Sequence, residues 1–270
     1  MYVVTGATGN VGTPLVAALT EAGAEVRAVS RNAARWRADL ADPESLRPVV
    51  AGAEAFFLLV SGAGAHLDGP AIVDVVKAGG VRRVVLLSSQ AAGTRPDAAS
   101  HAPLREWERT VRESGMDWTV LRPGGFMSNT FAWAEPVRAH RAVAAPFGDV
   151  GLPLVDPADI AGVAAAALRD PAHAGRVYEL TGPELSTPRQ RAAEIARMLG
   201  EPVTFTEQTP EEAREQMLTF MPAPVADGTL RILGSPIPAE LRISPDVERV
   251  LGRPARGFAD WLDRNGHAFR

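Results

Sequence analysis

The chain has 270 residues, 46% hydrophobic and 22% charged, with a formal net charge of −4; this suits a globular α/β enzyme made of one large domain and a small appendage. No apolar run approaches the roughly 20 residues that cross a bilayer, and no basic-then-apolar leader opens the chain, so a cytoplasmic protein that stays off membranes is expected. The absence of cysteine excludes disulfides, thiolate metal sites and cysteine nucleophiles, the acidic balance gives no footing for nucleic acid, and no group of His, Asp and Glu has metal-ligand spacing.

Apolar runs alternate with amphipathic stretches through the first two-thirds. Tyr2-Val3-Val4 reads as a buried strand. Residues 11–22 place Val11, Leu15, Ala18, Leu19 and Ala22 on one helical face, which Gly23 ends. Residues 25–29 form the second strand, and Asp42-Pro43-Glu44 reads as the cap and acidic first turn of a helix. Residues 55–60 are apolar throughout, as parallel strands covered on both faces tend to be. A helix over 71–78, a strand over 83–87, a helix over 104–114 and a strand over 118–121 follow. Asp156-Pro157-Ala158-Asp159 then starts a helix, with Asp156 as cap and Asp159 favouring the positive helix end, and a strand over 176–180 follows it. This order predicts a doubly wound parallel sheet. Beyond Thr181 the character changes. Thr187-Pro188 opens a helix that Gly200 closes, Thr209-Pro210-Glu211 opens another, and residues 222–238, with four prolines and two glycines, are expected to be irregular.

The first strand runs straight into Thr5-Gly6-Ala7-Thr8-Gly9-Asn10-Val11-Gly12. Gly6 permits the turn, Gly9 lets backbone approach a pyrophosphate, and Gly12 lets helix and strand pack closely; the pyrophosphate would sit on free amides at the positive helix end. A dinucleotide is therefore the expected ligand of a Rossmann domain over residues 1–181, and a mostly helical substrate-covering subdomain is expected over 182–270 with part of 126–150. The second strand ends Ala28-Val29-Ser30-Arg31-Asn32. It lacks the acid that usually binds the ribose hydroxyls of NAD, and Arg31 is placed to pair with a 2′-phosphate. NADP(H) is the expected cofactor, with NAD(H) as the alternative. Asp39, in Ala38-Asp39-Leu40, is a candidate for the adenine amino group.

The loop at 5–12, the segment Ala38-Asp39-Leu40-Ala41-Asp42-Pro43-Glu44-Ser45-Leu46, the run Leu121-Arg122-Pro123-Gly124-Gly125-Phe126-Met127-Ser128-Asn129, Tyr178-Glu179-Leu180-Thr181-Gly182-Pro183 and the ending Gly252 to Trp261 together resemble the NmrA-like family of atypical short-chain dehydrogenases. The resemblance covers nearly the whole chain. It implies an NAD(P)-binding Rossmann fold and one of two roles: a reductase of quinones or similar acceptors, or a redox-sensing regulator that acts through a protein partner. It also implies that backbone at Leu59, Val60 and Ser61 passes the cofactor, that Ser88 lies near the nicotinamide ribose, and that Pro123 borders the nicotinamide. One departure stands out. The stretch from Asn32 to Asp39 is shorter than the dozen or so residues a parallel crossover needs, so either the crossover helix is reduced to a turn or the third strand is degenerate.

Ordinary short-chain dehydrogenases use a Tyr-x-x-x-Lys dyad, and this chain has none. Its tyrosines are Tyr2 and Tyr178, and its one lysine is Lys77. Without a placed acid, reduction of an unactivated ketone is disfavoured. A quinone is different, because delocalisation stabilises its reduced oxyanion and solvent can protonate it, so positioning suffices. Gln90 is the best-placed polar candidate for orienting an acceptor, with His101 and Arg105 as further candidates. Phe126, Met127, Trp133 and Phe147 are candidates for an apolar acceptor pocket. The reading is an NADPH-dependent reductase of a quinone or similar conjugated small molecule, with a non-catalytic dinucleotide sensor as the alternative.

Overall fold

The computed structural model describes residues 1–60 and 64–270. Six strands form one wholly parallel sheet: β1 (Tyr2–Thr5), β2 (Val26–Val29), β3 (Ala55–Leu59), β4 (Arg83–Leu87), β5 (Asp117–Pro123) and β7 (Arg176–Leu180), in the order β2-β1-β3-β4-β5-β7. Order reverses beside β1, which pairs with β2 on one side and β3 on the other. Ligands of open parallel sheets bind at such a switch point, beyond the carboxyl ends of the strands.

Alternating side chains build a core on each face of the sheet. Val3, Phe56, Leu58, Val84, Leu86 and Val120 face one layer, where they meet Val49 and Val50 of α2 (Arg47–Val50), Ile72 and Val76 of α3 (Gly69–Ala78), and Trp107 and Val111 of α5 (Ala102–Glu113). Val4, Phe57, Val85, Leu121 and Leu180 face the other, where Leu15 and Leu19 of α1 (Gly12–Glu21) pack with Ile160 and Ala164 of α7 (Pro157–Arg169). The doubly wound α/β reading therefore holds.

The shortened connection resolves into both alternatives at once. After β2 the chain makes turns, and Ser30 and Arg37 form a single isolated parallel bridge where a further strand would lie. Arg27 and Arg35 lie over the ring of Trp36, at 4.4 and 5.2 Å, and Arg27 also donates to the carbonyls of Val49 and Ala51. These contacts tie β2 and the turn after it to α2, beside the sheet edge that a missing strand leaves open.

A third core joins Met127, Val137, Val143, Leu152 and Leu154 to Ile195 of α8 (Pro188–Leu199) and to Phe258, Trp261 and Phe269 near the C-terminus. The last third is mostly helical, as expected, with one strand added: β8 (Thr204–Gln208) pairs in parallel with β6 (Ala142–Pro146) in a second, two-stranded sheet. One expectation fails here: 222–238 is not irregular, since α10 spans Ala223–Gly234. Its prolines stand at the start, where the missing N–H and fixed φ cost nothing. Its glycines answer to packing: a Cβ on Gly228 would lie 2.5 Å from Ser100 Oγ, and one on Gly234 would lie 2.4 Å from the Phe147 ring.

Asp156 caps α7 as expected, accepting from Ala158 N at 2.9 Å. Asp159 does more than favour the helix end. It is fully buried and receives the guanidinium groups of Arg253 and Arg256 and the backbone N–H of Arg256, which pins the C-terminal segment to the Rossmann layer. Removing the carboxylate leaves two partly exposed guanidinium groups and a backbone N–H without their acceptor. Asp159→Ala is therefore expected to lower unfolding free energy by about 1.5–3 kcal/mol, the worth of charged hydrogen bonds, measured by urea denaturation; no measurable loss would show that the C-terminal segment holds without this anchor.

Candidate dinucleotide and acceptor site

The phosphate loop is shaped by three glycines that serve it in different ways. Gly6 has φ +62°, in the left-handed region. A Cβ on Gly12 would lie 2.0 Å from Gly6 O and 2.7 Å from Ala7 Cα, so α1 closes on the loop backbone with no room for a side chain. Gly9 is different. Its Cβ would meet only Gly6 O, at 3.3 Å, and then open space, so what needs the missing side chain is not the protein itself. Gly9, Thr8 and Asn10 are exposed, and the amides of Thr8, Asn10 and Val11 find no backbone acceptor among the described residues. Free amides at a helix start, beside a glycine open on its outer side, form a cradle for a diphosphate.

Thr5 fixes the cradle to the sheet. Its buried hydroxyl donates to Phe57 O and accepts from Leu59 N, both at 2.9 Å, and the Leu59 side chain then covers Gly6. Asn10 reaches across to Ser128 Oγ at 3.2 Å, joining the loop to the segment that follows β5.

Beside the loop lies a cavity of about 390 Å³ lined by Gly6, Thr8, Gly9, Ser30, Arg31, Asp39, Leu40, Leu59, His66 and Leu67. Its size is in the range of small-molecule sites. Arg31 and Asp39 thus meet in one cavity with the glycine loop, where an adenosine half would lie. Ser45 Oγ bonds both the N–H and the C=O of Asp39, and Asp39 Oδ1 accepts from Ala41 N, so the turn carrying Asp39 is held on both sides. His66 and Leu67 join this cavity although no local pattern in the sequence points either of them at a cofactor. A dinucleotide fits these residues.

The remaining candidates spread along the carboxyl edge. Val60 is buried just after β3, and Ser61 lies outside the described residues. Ser88 and Pro123 stand at the ends of the adjacent strands β4 and β5, both buried. The Ser88 hydroxyl donates to the buried carboxylate of Glu108 at 2.7 Å, and Glu108 also takes Arg122 and Arg112, so the Ser88 hydroxyl is committed within the protein. Gln90, also buried, opens α4 (Gln90–Thr94); its Oε1 faces Gly124 and its Nε2 lies 3.4 Å from Ala239 O. Phe126 packs on the α1–α7 face, while Met127 and Trp133 belong to the third core and Phe147 abuts Gly234. Packing alone does not gather these four side chains around one cavity. Arg105 donates to the carbonyls of Arg95 and Ala98 and so braces the turn before α5.

The side chains that could mimic a dehydrogenase dyad are engaged elsewhere. Tyr178 Oη pairs with His173 Nδ1 at 2.7 Å, at the amino end of β7. Burial raises its phenol above the usual value. Lys77 Nζ donates to Ser114 O at 2.8 Å.

A parallel sheet with this loop and cavity defines a Rossmann-type dinucleotide-binding protein. The NmrA-like family profile matches residues 2–231, and the chain belongs to that family. It is 37% identical to the (4-alkanoyl-5-oxo-2,5-dihydrofuran-3-yl)methyl phosphate reductase of Streptomyces griseus, an alignment that covers 100% of this chain and 99% of the relative. It is 31% identical to the NAD(P)H azoreductase of Xenophilus azovorans, over 100% and 99% of the two chains. Among solved structures it is similar to the NADPH-dependent quinone oxidoreductase of Escherichia coli complexed with NADPH, with a TM-score of 0.81 and 25% identity over 98% of this chain and 100% of that one.

Two substitutions test the site. Gly9→Leu is expected to leave the fold intact and abolish dinucleotide binding by isothermal titration, because the side chain would fill the space outside the loop; unchanged affinity would remove the loop from the site. Arg31→Ala is expected to weaken NADPH by about tenfold to a hundredfold, the worth of one charged hydrogen bond of roughly 1.5–3 kcal/mol, while NADH affinity stays nearly constant. Equal affinity of the parent for both dinucleotides would place Arg31 in solvent.

Proposed function

We propose that this NAD(P)H-dependent oxidoreductase reduces a quinone or another conjugated small-molecule acceptor, with NADPH as its preferred donor and without a Tyr-x-x-x-Lys dyad. When bound, the nicotinamide supplies a hydride. The observation that carries the reading is Arg31 sharing one cavity with the phosphate loop, while the side chains of Tyr178 and Lys77 are committed to His173 and Ser114.

The acceptor class follows from what the site lacks and from what the relatives act on. A 4-alkanoyl-5-oxo-2,5-dihydrofuran ring carries a double bond conjugated to carbonyl groups, and a quinone shares that feature. In both, hydride addition leaves negative charge delocalised onto oxygen, which lowers the need for a strong general acid. Less is then required of the chain's own residues. Gly6 to Gly12 anchor the donor, the ends of β4 and β5 fix its reactive end, and Gln90 lies where it can orient the acceptor. Holding two reactants in line is worth a large effective concentration by itself.

The test is NADPH oxidation against a panel of quinones, azo dyes and α,β-unsaturated lactones and ketones. Turnover of at least one carbonyl-conjugated acceptor is expected, and Tyr178→Phe should leave that rate within a few-fold. A loss on the order of a hundredfold, as for a missing acid catalyst, would overturn the dyad-free mechanism. Tight dinucleotide binding with no turnover across the panel would favour a redox sensor.

A further inference from the structure

We infer that His101 is an acceptor-binding residue, its imidazole Nε2–H donating a hydrogen bond to the carbonyl oxygen that becomes negative during reduction. The inference rests on the proposed reductase function and names the group that receives the developing charge.

The placement comes from the topology. Helices that follow parallel strands begin at the carboxyl edge of the sheet, and His101 is the residue immediately before α5, which follows β4. It therefore stands at the same edge as Ser88, Gln90 and Pro123. The C-terminal helices close over this edge at two points. α10 crosses the turn at residues 99–101 so closely that Gly228 has no room for a Cβ against Ser100. α11 (Pro238–Leu241) is clamped to α4, because the buried Glu240 accepts from Arg95 Nε at 2.7 Å, from Arg95 Nη2 at 2.8 Å and from Thr94 Oγ1 at 3.1 Å. His101 sits at the seam between these two clamps, half-buried. The other histidines lie apart from it: His66 lines the cavity beside the glycine loop, His173 binds Tyr178, His140 ends α6 (Ala134–His140), and His267 lies in the turn after α13 (Phe258–Asn265).

The ring is also oriented. Ser100 Oγ lies 3.0 Å from His101 Nδ1. If the hydroxyl donates there, Nδ1 is the acceptor and the neutral ring carries its proton on Nε2. Burial, then the guanidinium groups of Arg105 and Arg95, push the imidazole below its usual value, against a weaker pull from Glu240. A neutral imidazole is thereby favoured at pH 7, and a neutral imidazole can polarise a carbonyl as a fixed donor without transferring its own proton. In the balanced step, hydride adds to the carbon end of the conjugated system, the electron pair moves to the carbonyl oxygen, the Nε2–H holds that oxygen, and water supplies the proton.

Such a donor acts on the transition state more than on the bound acceptor. His101→Leu is expected to lower kcat for a quinone by about a hundredfold, the low end of what loss of one oxyanion donor costs, with NADPH affinity unchanged. His101→Gln, which keeps an N–H donor, should recover part of the loss. Ser100→Ala should cost a few-fold, through loss of ring orientation. A second readout needs no turnover: in the NADP⁺ complex, titration with the hydroquinone product should shift the His101 ¹⁵N imidazole resonances in the parent and in Lys77→Arg alike. A His101→Leu enzyme with parental kcat, or His101 resonances that ignore the hydroquinone, would overturn this inference alone. A parent that reduces no carbonyl-conjugated acceptor would overturn the proposed function first, and this inference with it.

Discussion

The contact between Gly12 and Gly6 sets the geometry on which the site depends. A helix and a strand can meet only as closely as their side chains allow, and here the α1 position nearest the loop has no side chain at all. A Cβ on Gly12 would lie 2.0 Å from a carbonyl oxygen, far inside any tolerated approach. Because that contact is made by backbone, the first turn of α1 is driven against the carboxyl end of β1, and its unpaired amides point at the space beyond the sheet. Leu15 and Leu19 then bury against Phe57, Ile160 and Ala164 from a fixed position. Thr5 passes the constraint on to β3 through two hydrogen bonds. The loop is thus rigid before any ligand arrives, which limits the ordering cost of binding.

A second constraint governs the other half of the edge. Glu108 is buried on α5 and holds Ser88 at the end of β4, Arg122 on β5, and Arg112 one turn along its own helix. A buried carboxylate with this many donors is tolerable only when all are in place, so β4, β5 and α5 are fixed relative to one another where the reactive end of a cofactor would lie. The C-terminal helices are attached by the same chemistry, through Glu240 on Arg95 and Asp159 on Arg253 and Arg256. Charged anchors rather than apolar area alone join the two parts of the chain.

What could be read in the sequence follows the range of the interactions. The sheet strands and the helices that cover them were legible because uniform apolar runs and amphipathic stretches are local signals, and so were the caps at Asp156, Thr187 and Thr209. The glycine loop was legible because three spacings agreed with a strand before and a helix after. The β6–β8 pairing was not, since it joins residues about sixty apart through a short, partly exposed strand whose alternation is weak. The helix α10 was hidden because its glycines argued for a loop, whereas they exist to admit Ser100 and Phe147. The apolar candidates after Pro123 illustrate the limit for sites: Phe126, Met127 and Trp133 share a segment, but packing divides them between two cores.

The absence of a Tyr-x-x-x-Lys dyad and the position of His101 have one physical explanation between them. In a dehydrogenase with Tyr-x-x-x-Lys, the acid and the residue that tunes it stand one helical turn apart on the helix at the carboxyl edge. Here that stretch of helix supplies structure instead: Leu104 and Trp107 are buried apolar positions, Glu108 ties α5 to the ends of β4 and β5, and Arg105 braces the turn before it. A side chain on the preceding turn escapes those packing demands while remaining at the same edge. Burial, then the neighbouring Arg105 and Arg95, favours a neutral ring, which suits a donor that stabilises charge and suits a poor proton source. An acceptor whose oxyanion is already delocalised needs the first property and can do without the second, which is the physical ground on which a conjugated acceptor is proposed.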